Sequence, residues 1–263
     1  GGDDLFSGYR RHTSLKYEQY WDWLPKTTRS FLSKKLASLP QNRSYFRKLS
    51  KAFSGAELDH DSRLINYFKW TAPGCVKNLF SDQFQKHLNQ SKMQSPLVEF
   101  LNQMPSDLSR LDKLLLLEQR FFLSDHNLAY TDRMSMAAGV EVRVPFLDLE
   151  LMDFVANIPD NLKQRGWNNK WILKKAMEPY LPKEIIYRTK SGFGSPLRRW
   201  IDKELVELRD DLLSKTSINN RGIFNSLAIR DLIEKNSKGY CDASCTILSL
   251  MCIELWCRNF QSD

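Results

Sequence analysis

Residues 107–122 read DLSRLDKLLLLEQRFF and predict a helix at the centre of the chain. Leu108, Leu111 and Leu115 recur at intervals of three and four residues, which places them on one face of a helix. Ser106 and Asp107 stand at the start of this stretch, as capping residues do at a helix start. We therefore expect a helix here that buries its leucine face in a hydrophobic core.

The segments around this helix repeat the pattern and predict a mainly α protein with little strand. Further helices are expected at 148–158, 168–180, 196–213 and 242–260. The last of these segments is apolar nearly all round, so we predict that it is the most buried helix. One stretch differs: VEVRVPF (140–146) alternates apolar and charged residues, which is typical of a strand, and Pro145 closes it.

Composition limits the class of protein. Hydrophobic residues make up 42% of the 263 residues, enough for a sizeable core, and no uncharged apolar run approaches the roughly 18 residues of a membrane span. The net charge of +8 is concentrated in residues 1–54, with 11 Lys and Arg against 4 Asp and Glu. This segment has no recognisable nucleic-acid motif, so we expect solvated helix faces and a nearby polyanion such as ATP. We expect a cytoplasmic protein with no nucleic-acid or membrane partner.

The stretch GGDDLFSGY (1–9) is the first candidate site. Glycine tolerates positive φ and leaves room for a ligand, which suits a tight turn that leads into a helix. Asp3 and Asp4 would be stabilised by the helix dipole, and their carboxylates are also the oxygen ligands that Mg²⁺ prefers. Helix capping and metal binding both explain these acids from the residues alone.

The stretch NLAYTDRMSMAAGVEVRVPFLD (127–148) is the second candidate. Asp132 and Arg133 are adjacent, while Glu141 and Arg143 are two residues apart on one face of the predicted strand. These four charges could pair with one another as a structural ion network, or they could line a catalytic site. Residue types and spacing leave both interpretations open.

The stretch YRTKSGFGSPLRRW (187–200) is the third candidate. It carries Lys190 beside Gly192 and Gly194, two potential hinge residues. A compact ammonium on a closing loop suits the stabilisation of phosphate oxygens during phosphoryl or nucleotidyl transfer.

Taken in this order, the three stretches resemble the synthetase domain of the glutamine-hydrolysing asparagine synthetases. GGDDLFSGYRR is similar to the family motif S-G-D-G-G-D-E-L-F-G-G-Y from its fourth position, with Asp4 in place of Glu and Ser7 in place of Gly. The second stretch resembles D-[RK]-M-S-M-A…E-V-R-V-P-F-L-D, and the third resembles R-x-K-x-G-F-G-x-P. LSLMCIELWCRNF (248–260) is similar to the closing helix of the family. The resemblance is weaker between about 13 and 105.

The resemblance implies a fold and a place within a longer protein. It implies the helical C-terminal part of an adenine-nucleotide α-hydrolase-like (ATP pyrophosphatase) α/β domain. Residues 1–263 would form a partial asparagine synthetase domain, with Gly1 in the middle of a nucleotide-site loop. The glutaminase domain and the S-G-G-x-D-S pyrophosphate loop would lie upstream, and we expect residues 1–263 alone to be inactive.

The resemblance also implies a reaction and the residues that serve it. ATP would adenylylate the side-chain carboxylate of aspartate, and ammonia from glutamine would convert the acyl-adenylate into asparagine, AMP and pyrophosphate. Lys190 would be the catalytic cation, and Asp3 the ligand of Mg²⁺. The remaining implied residues are Gly1, Gly2 and Asp4 for the nucleotide and pyrophosphate, Asn127, Tyr130, Asp132 and Arg133 for the substrate pocket, and Glu141 and Arg143 as a brace behind that pocket.

The expected partners are therefore ATP, aspartate and ammonia delivered by the glutaminase domain, and a homodimer is left open. Two alternatives remain at this stage. One is amide formation on another carboxylate, such as a sugar or a β-lactam precursor. The other is a helical scaffold that keeps the fold without catalysis.

Overall fold

The computed structural model describes residues 1–39, 44–69, 73–88, 95–189 and 195–261, and these residues are mainly helical, as predicted. The chain divides into two compact units. The first comprises Gly1–Pro25 and Pro96–Lys190, and the second comprises Lys26–Ser95 and Ser191–Asp263. Among the described residues, no helix combines the length and apolar character needed to cross a bilayer.

The first unit consists of short helices and one small hairpin. Its α-helices are α1 (Gly2–Leu5), α2 (Arg10–Tyr17), α8 (Ser95–Gln103), α9 (Arg110–Leu117), α10 (Ala129–Ala137), α11 (Leu149–Ala156), α12 (Asp160–Lys163), α13 (Trp171–Met177) and α14 (Lys183–Ile186). It also has 3₁₀ turns at Glu18–Tyr20 and Pro145–Leu147, a π-helix at Glu118–Leu128, and strands β1 (Gln164–Arg165) and β2 (Asn168–Asn169). Ser95, the first residue of α8, falls in the second unit.

The predicted central helix is confirmed and proves longer than expected. It begins at Arg110, where the Ser109 hydroxyl accepts a hydrogen bond from the Asp112 amide at 2.9 Å. Its buried residues are Leu111, Leu114, Leu115 and Leu117, the face that the leucine spacing predicted. At Glu118 the α-helix passes into the wider π-helix, a form often found at functional sites.

The strand prediction for 140–146 is wrong. Val140, Val142 and Val144 are 54%, 46% and 42% exposed, and no described strand pairs with this segment. The alternation therefore does not mark a half-buried strand, because no neighbouring strand is present to pair with it among the described residues. The described strands are instead β1 and β2, an antiparallel hairpin. Asn168 and Asn169, expected to cap a helix, lie in β2, and that helix begins at Trp171.

The second unit is entirely helical in its described part, apart from one isolated bridge between Phe80 and Phe224. Its α-helices are α3 (Lys26–Ala37), α4 (Ser44–Ala52), α5 (His60–Asn66), α6 (Pro73–Leu79), α7 (Asp82–Leu88), α15 (Leu197–Arg199), α16 (Val206–Leu212), α17 (Lys215–Arg221), α18 (Ser226–Ser237) and α19 (Ser244–Phe260). The helix predicted over 196–213 is divided into α15, a π-helix at Trp200–Glu204, and α16.

The apolar C-terminal helix α19 is buried on one face only, and the prediction that it is the most buried helix is wrong, because six of its 17 residues are buried against four of eight in α9. Ile247 and Met251 lie in the core of the second unit, 0% and 2% exposed. Trp256 and Phe260, by contrast, are 53% and 73% exposed. The described core of this unit covers one side of the helix, which leaves the other side at the surface.

Glu254 joins α19 to α17 in the second unit. Its carboxylate accepts hydrogen bonds from Ser217 at 2.9 Å, from Arg221 at 3.3 Å and from Arg258 at 3.1 Å. Burial by itself would raise the pKa of Glu254. The hydrogen bonds from Arg258, Ser217 and Arg221 outweigh burial, and the pKa is lowered from its ordinary value of 4.5.

The turn between α1 and α2 is backbone-strained and tightly packed. Ser7 has φ 62°, in the left-handed region that favours glycine, and it occupies the position where the family motif has Gly. Its buried hydroxyl accepts a 2.5 Å hydrogen bond from the side-chain amide of Gln164. The next residue, Gly8, has no room for a side chain: a Cβ there would lie 1.8 Å from Asp3 Oδ1 and 2.8 Å from Asp3 Cα.

Replacement of Glu254 by Gln should destabilise the protein by about 2 kcal/mol at neutral pH, because buried donors lose their charged acceptor. A carboxyl group with a lowered pKa in the folded state stabilises above its unfolded pKa, and this contribution is lost as pH falls through the folded pKa. The difference between parent and E254Q in urea unfolding should therefore shrink below pH 4.5. The matched control is Glu234→Gln, at an exposed ion pair with Lys238. A difference that stays constant from pH 7 to pH 3 would contradict this account.

Replacement of Gly8 by Ala should destabilise the first unit by about 2 kcal/mol, since the added methyl group meets the Asp3 backbone as well as its side chain. Urea unfolding measures the effect. Gly139→Ala is the control: it also adds a methyl group, at φ 69°, but no atom lies within 4 Å of the new Cβ. We expect G8A to lose clearly more stability than G139A, and equal losses would contradict the packing argument.

Candidate functional site

The glycines that open the chain lie against the end of the second motif. A Cβ at Gly1 would lie 2.8 Å from the Cβ of Phe146, and one at Gly2 would lie 3.9 Å from the Phe146 ring. The Phe6 ring meets the Phe146 ring edge-on at a centroid distance of 6.4 Å. The first two motifs are therefore neighbours in the first unit, and the absence of a side chain at Gly1 permits their close approach.

The two acids of α1 have different environments. Asp4 is 1% exposed and accepts a hydrogen bond from the Gly1 nitrogen at 2.7 Å, which is one half of a capping box. The Asp3 side chain is 29% exposed, and its Oδ1 lies 3.1 Å from the Lys170 ammonium. Asp4 therefore has a capping role in this structure, while Asp3 is accessible and already paired with a cation.

Asp3 has the chemistry of a magnesium ligand, although it is not part of a cluster of metal-binding side chains among the described residues. Its hard carboxylate oxygens and partial exposure suit Mg²⁺, and the Lys170 ammonium shows that the position attracts positive charge. Within the described ranges no three His, Cys, Asp or Glu residues form a metal-binding group. One carboxylate is a fitting contribution for Mg²⁺, which commonly keeps several waters and takes further ligands from substrate phosphates.

Tyr9 connects the first motif to the second. Its hydroxyl accepts a hydrogen bond from Asn127 Nδ2 at 3.3 Å. Burial raises the pKa of Tyr9, and the negative charge of Asp4 raises it further. Asn127, predicted to serve the substrate, is thus hydrogen-bonded to a residue of the first motif although 118 positions separate the two.

A buried ion pair holds α2 against the start of the π-helix. Arg11 Nε and Nη2 each donate a hydrogen bond to one oxygen of the Glu118 carboxylate. His12 Nε2 lies 3.2 Å from the same carboxylate, and His12 and Glu118 are both fully buried. The Arg11 guanidinium also lies 4.3 Å from the ring centroid of Phe122, one turn further along the π-helix. These contacts fix the start of α2, and therefore Tyr9, relative to the segment that carries Asn127.

The other residues predicted for the second motif lie at the surface of the first unit. Tyr130 is 51% exposed, and Asp132 and Arg133 are exposed on α10. Glu141 and Arg143 form an ion pair of 2.7 Å with each other, and both side chains are well over half exposed. An exposed pair of this kind contributes little stability. A role for these five residues in a pocket or its support remains a prediction.

Lys190, the predicted catalytic cation, lies outside the described residues, as do Gly192 and Gly194. A cavity of about 570 Å³ in the second unit is lined by Arg29, Leu58, Asp59, His60, Asp61 and Arg63. None of the predicted site residues belongs to it.

Sequence reasoning missed several members of the site. Tyr9 could have been found, because it is the final residue of the family motif in the first stretch. Lys170 has φ 54°, a strained conformation for a residue with a side chain, but nothing in the sequence predicts its pairing with Asp3. Arg11 and Glu118 are 107 positions apart, so only the fold brings them together.

Sequence comparisons with known proteins identify the family of the chain. The sequence model of the asparagine synthase family matches residues 1–258. Asparagine synthetase [glutamine-hydrolyzing] 1 of Bacillus subtilis is 24% identical over 97% of this chain. A putative asparagine synthetase [glutamine-hydrolyzing] of Mycobacterium bovis is also 24% identical over 97%. Asparagine synthetase [glutamine-hydrolyzing] 3 of Bacillus subtilis is 36% identical over 54% of this chain and 24% of its own length.

The chain spans only 39% and 38% of the length of the first two relatives. No solved structure is similar enough to count as a match, so the α-hydrolase-like fold remains a prediction. The family match covers all three motif stretches, including Lys190, and nearly the whole of both units. The chain belongs to the asparagine synthase family.

Proposed function

We propose that this chain is part of an ATP-dependent amide-forming ligase that converts aspartate into asparagine. The observation that carries the proposal is the contact between the first two motifs, where Asn127 donates to the Tyr9 hydroxyl at 3.3 Å and Phe146 packs against Gly1 and Phe6. A nucleotide loop and a carboxylate-binding segment must lie together if a substrate carboxylate is to attack bound ATP. The family match over residues 1–258 supports the same reaction class.

The proposed reaction has two steps that balance without a redox partner. A carboxylate oxygen of the substrate forms a bond to the α-phosphorus of ATP, and the bond from that phosphorus to the bridging oxygen of pyrophosphate breaks. Ammonia then attacks the acyl carbon, the bond between that carbon and the AMP oxygen breaks, and one proton is released at neutral pH. The first step concentrates negative charge on phosphate oxygens, so it requires fixed cations.

The residues of the first unit divide this work. Gly1 and Gly2 belong to the loop that the family motif assigns to the nucleotide, and they pack against Phe146 of the second motif. Asp3 would hold Mg²⁺, which neutralises phosphate charge when bound. Lys170 is a cation already beside Asp3, and Lys190 is the further cation that the family motif implies for the leaving pyrophosphate.

The identity of the carboxylate substrate is a separate part of the proposal. We propose aspartate and glutamine-derived ammonia, in line with the printed names of the relatives. A second candidate, amide chemistry on another carboxylate, is favoured by one observation. Amidase chry2 of Gibberella zeae is 30% identical over 39% of this chain and 16% of its own length. The family assignment makes a purely structural scaffold the weaker alternative, and a cytoplasmic location and homodimer stay predictions.

Lys190→Ala should lower pyrophosphate release by about a hundredfold or more, the usual scale for loss of one charge-stabilising donor. The assay uses the longer protein that carries this chain, with Mg·ATP, aspartate and ammonia supplied directly. The KM for ATP should change far less, because the charge that Lys190 stabilises develops in the transition state. Lys190→Arg should also fail, since a planar fork replaces a compact ammonium. Lys183→Ala, at an exposed lysine of α14, is the control. Release by folded K190A at the parent rate would overturn the role.

Residues 1–263 by themselves should bind Mg·ATP only weakly and release no pyrophosphate. The S-G-G-x-D-S motif that the family uses for pyrophosphate does not occur in these 263 residues, and surface lysines cannot replace a cradle of backbone amides. Isothermal titration against Mg·ATP measures this directly, with the longer protein as the comparison. Micromolar affinity of residues 1–263 would show that the described loop suffices and would contradict the expectation.

A further inference from the structure

The Tyr9 side chain is held in one orientation from three sides. Its ring meets Phe122 edge-on at a centroid distance of 5.6 Å and meets His12 at 5.5 Å. The Arg11 guanidinium lies 4.9 Å from the ring centroid, and Arg11 is itself fixed by Glu118. The hydroxyl position is therefore set by the fold before any substrate binds.

The protonation state of this hydroxyl is also fixed. Burial and the Asp4 carboxylate raise the pKa of Tyr9, so the phenol keeps its proton throughout the physiological range. Its oxygen accepts a hydrogen bond from Asn127 Nδ2 at 3.3 Å, because an amide nitrogen can only donate. The direction of this hydrogen bond therefore follows from the chemistry of the two groups.

The Asn127 carboxamide is fixed at both ends. His126 Nδ1 lies 3.0 Å from Asn127 Oδ1, and because an amide oxygen can only accept, this histidine nitrogen is the donor. The His126 ring is in turn stacked on Phe122, with 5.1 Å between centroids and an interplanar angle of 10°. An amide nitrogen carries two hydrogens and Tyr9 accepts one. The other is left to a hydrogen-bond acceptor outside this set of contacts.

We propose that Tyr9 is a positioning residue that holds the Asn127 carboxamide. In this orientation the second N–H of Asn127 donates a hydrogen bond to a carboxylate oxygen of the acceptor substrate. This inference rests on the proposed function. It assigns to Asn127 a donor role that favours a carboxylate over a neutral amide, because a charged acceptor makes the stronger hydrogen bond.

The decisive variant is Tyr9→Phe, which keeps the ring and its packing but removes the oxygen that accepts from Asn127. Tyr20→Phe is the matched control, because Tyr20 is 65% exposed and lies outside the site. Asn127→Ala removes the donor itself. The double variant Y9F/N127A tests whether the two residues act through each other.

In the longer protein that carries this chain, pyrophosphate release is measured with saturating Mg·ATP and ammonia and with aspartate varied. Y9F should raise the KM for aspartate about tenfold, the effect of losing one hydrogen bond, with the KM for ATP within about twofold. N127A should match or exceed this rise, and the double variant should be no worse than N127A. Y20F should behave as the parent. A KM for aspartate unchanged in Y9F, or additive effects in the double variant, would overturn the inference.

A spectroscopic readout separates this inference from the proposed function. In ¹⁵N-labelled protein, the side-chain amide signal that disappears in N127A should move in Y9F and stay in place in Y20F. If the parent releases no pyrophosphate with any acid while Y9F still moves this signal, the ligase function is wrong and the link between Tyr9 and Asn127 stands. If Y9F leaves the signal in place, Tyr9 does not position Asn127, whatever the catalytic result.

Discussion

The ion pair between Arg11 and Glu118 is the interaction on which the first unit depends. Both nitrogens of the Arg11 fork meet one carboxylate, and the fully buried His12 ring contacts the same group. A buried charge without its partner would be strongly destabilising, so neither helix can shift without the other. Because Arg11 follows the first motif and Glu118 begins the π-helix, this pair fixes the position of the first motif relative to the segment that carries Asn127.

Backbone strain lies close to the same site. Among the described residues, Ser7 and Lys170 are the two with side chains that have positive φ. The strain at Ser7 is offset by the hydrogen bond that its hydroxyl accepts from Gln164. Lys170 places its ammonium beside Asp3. Strain of this kind costs about 1–3 kcal/mol per residue and persists where surrounding contacts determine the conformation. Here both strained residues shape the surroundings of Asp3.

The second family motif shows how an apolar pattern can mislead. Met134, Val140 and Val142 are exposed, although their types and spacing are those of buried residues. The motif matches the family as a sequence, and only its end, at Phe146, packs closely against the first motif. Local pattern therefore identified the family here more reliably than it identified burial.

The sequence by itself determined the helical class, the presence of α9 and the family, because leucine spacing and motifs are local properties of the chain. Through the resemblance it also predicted Asp3, Asp4 and Asn127 as site residues. Only the tertiary structure decided that Ser109 and Asp4 cap helices, that Lys170 pairs with Asp3, and that Tyr9 accepts a hydrogen bond from Asn127. These contacts join residues far apart in the chain or depend on burial, and neither is encoded in the spacing of neighbouring residues.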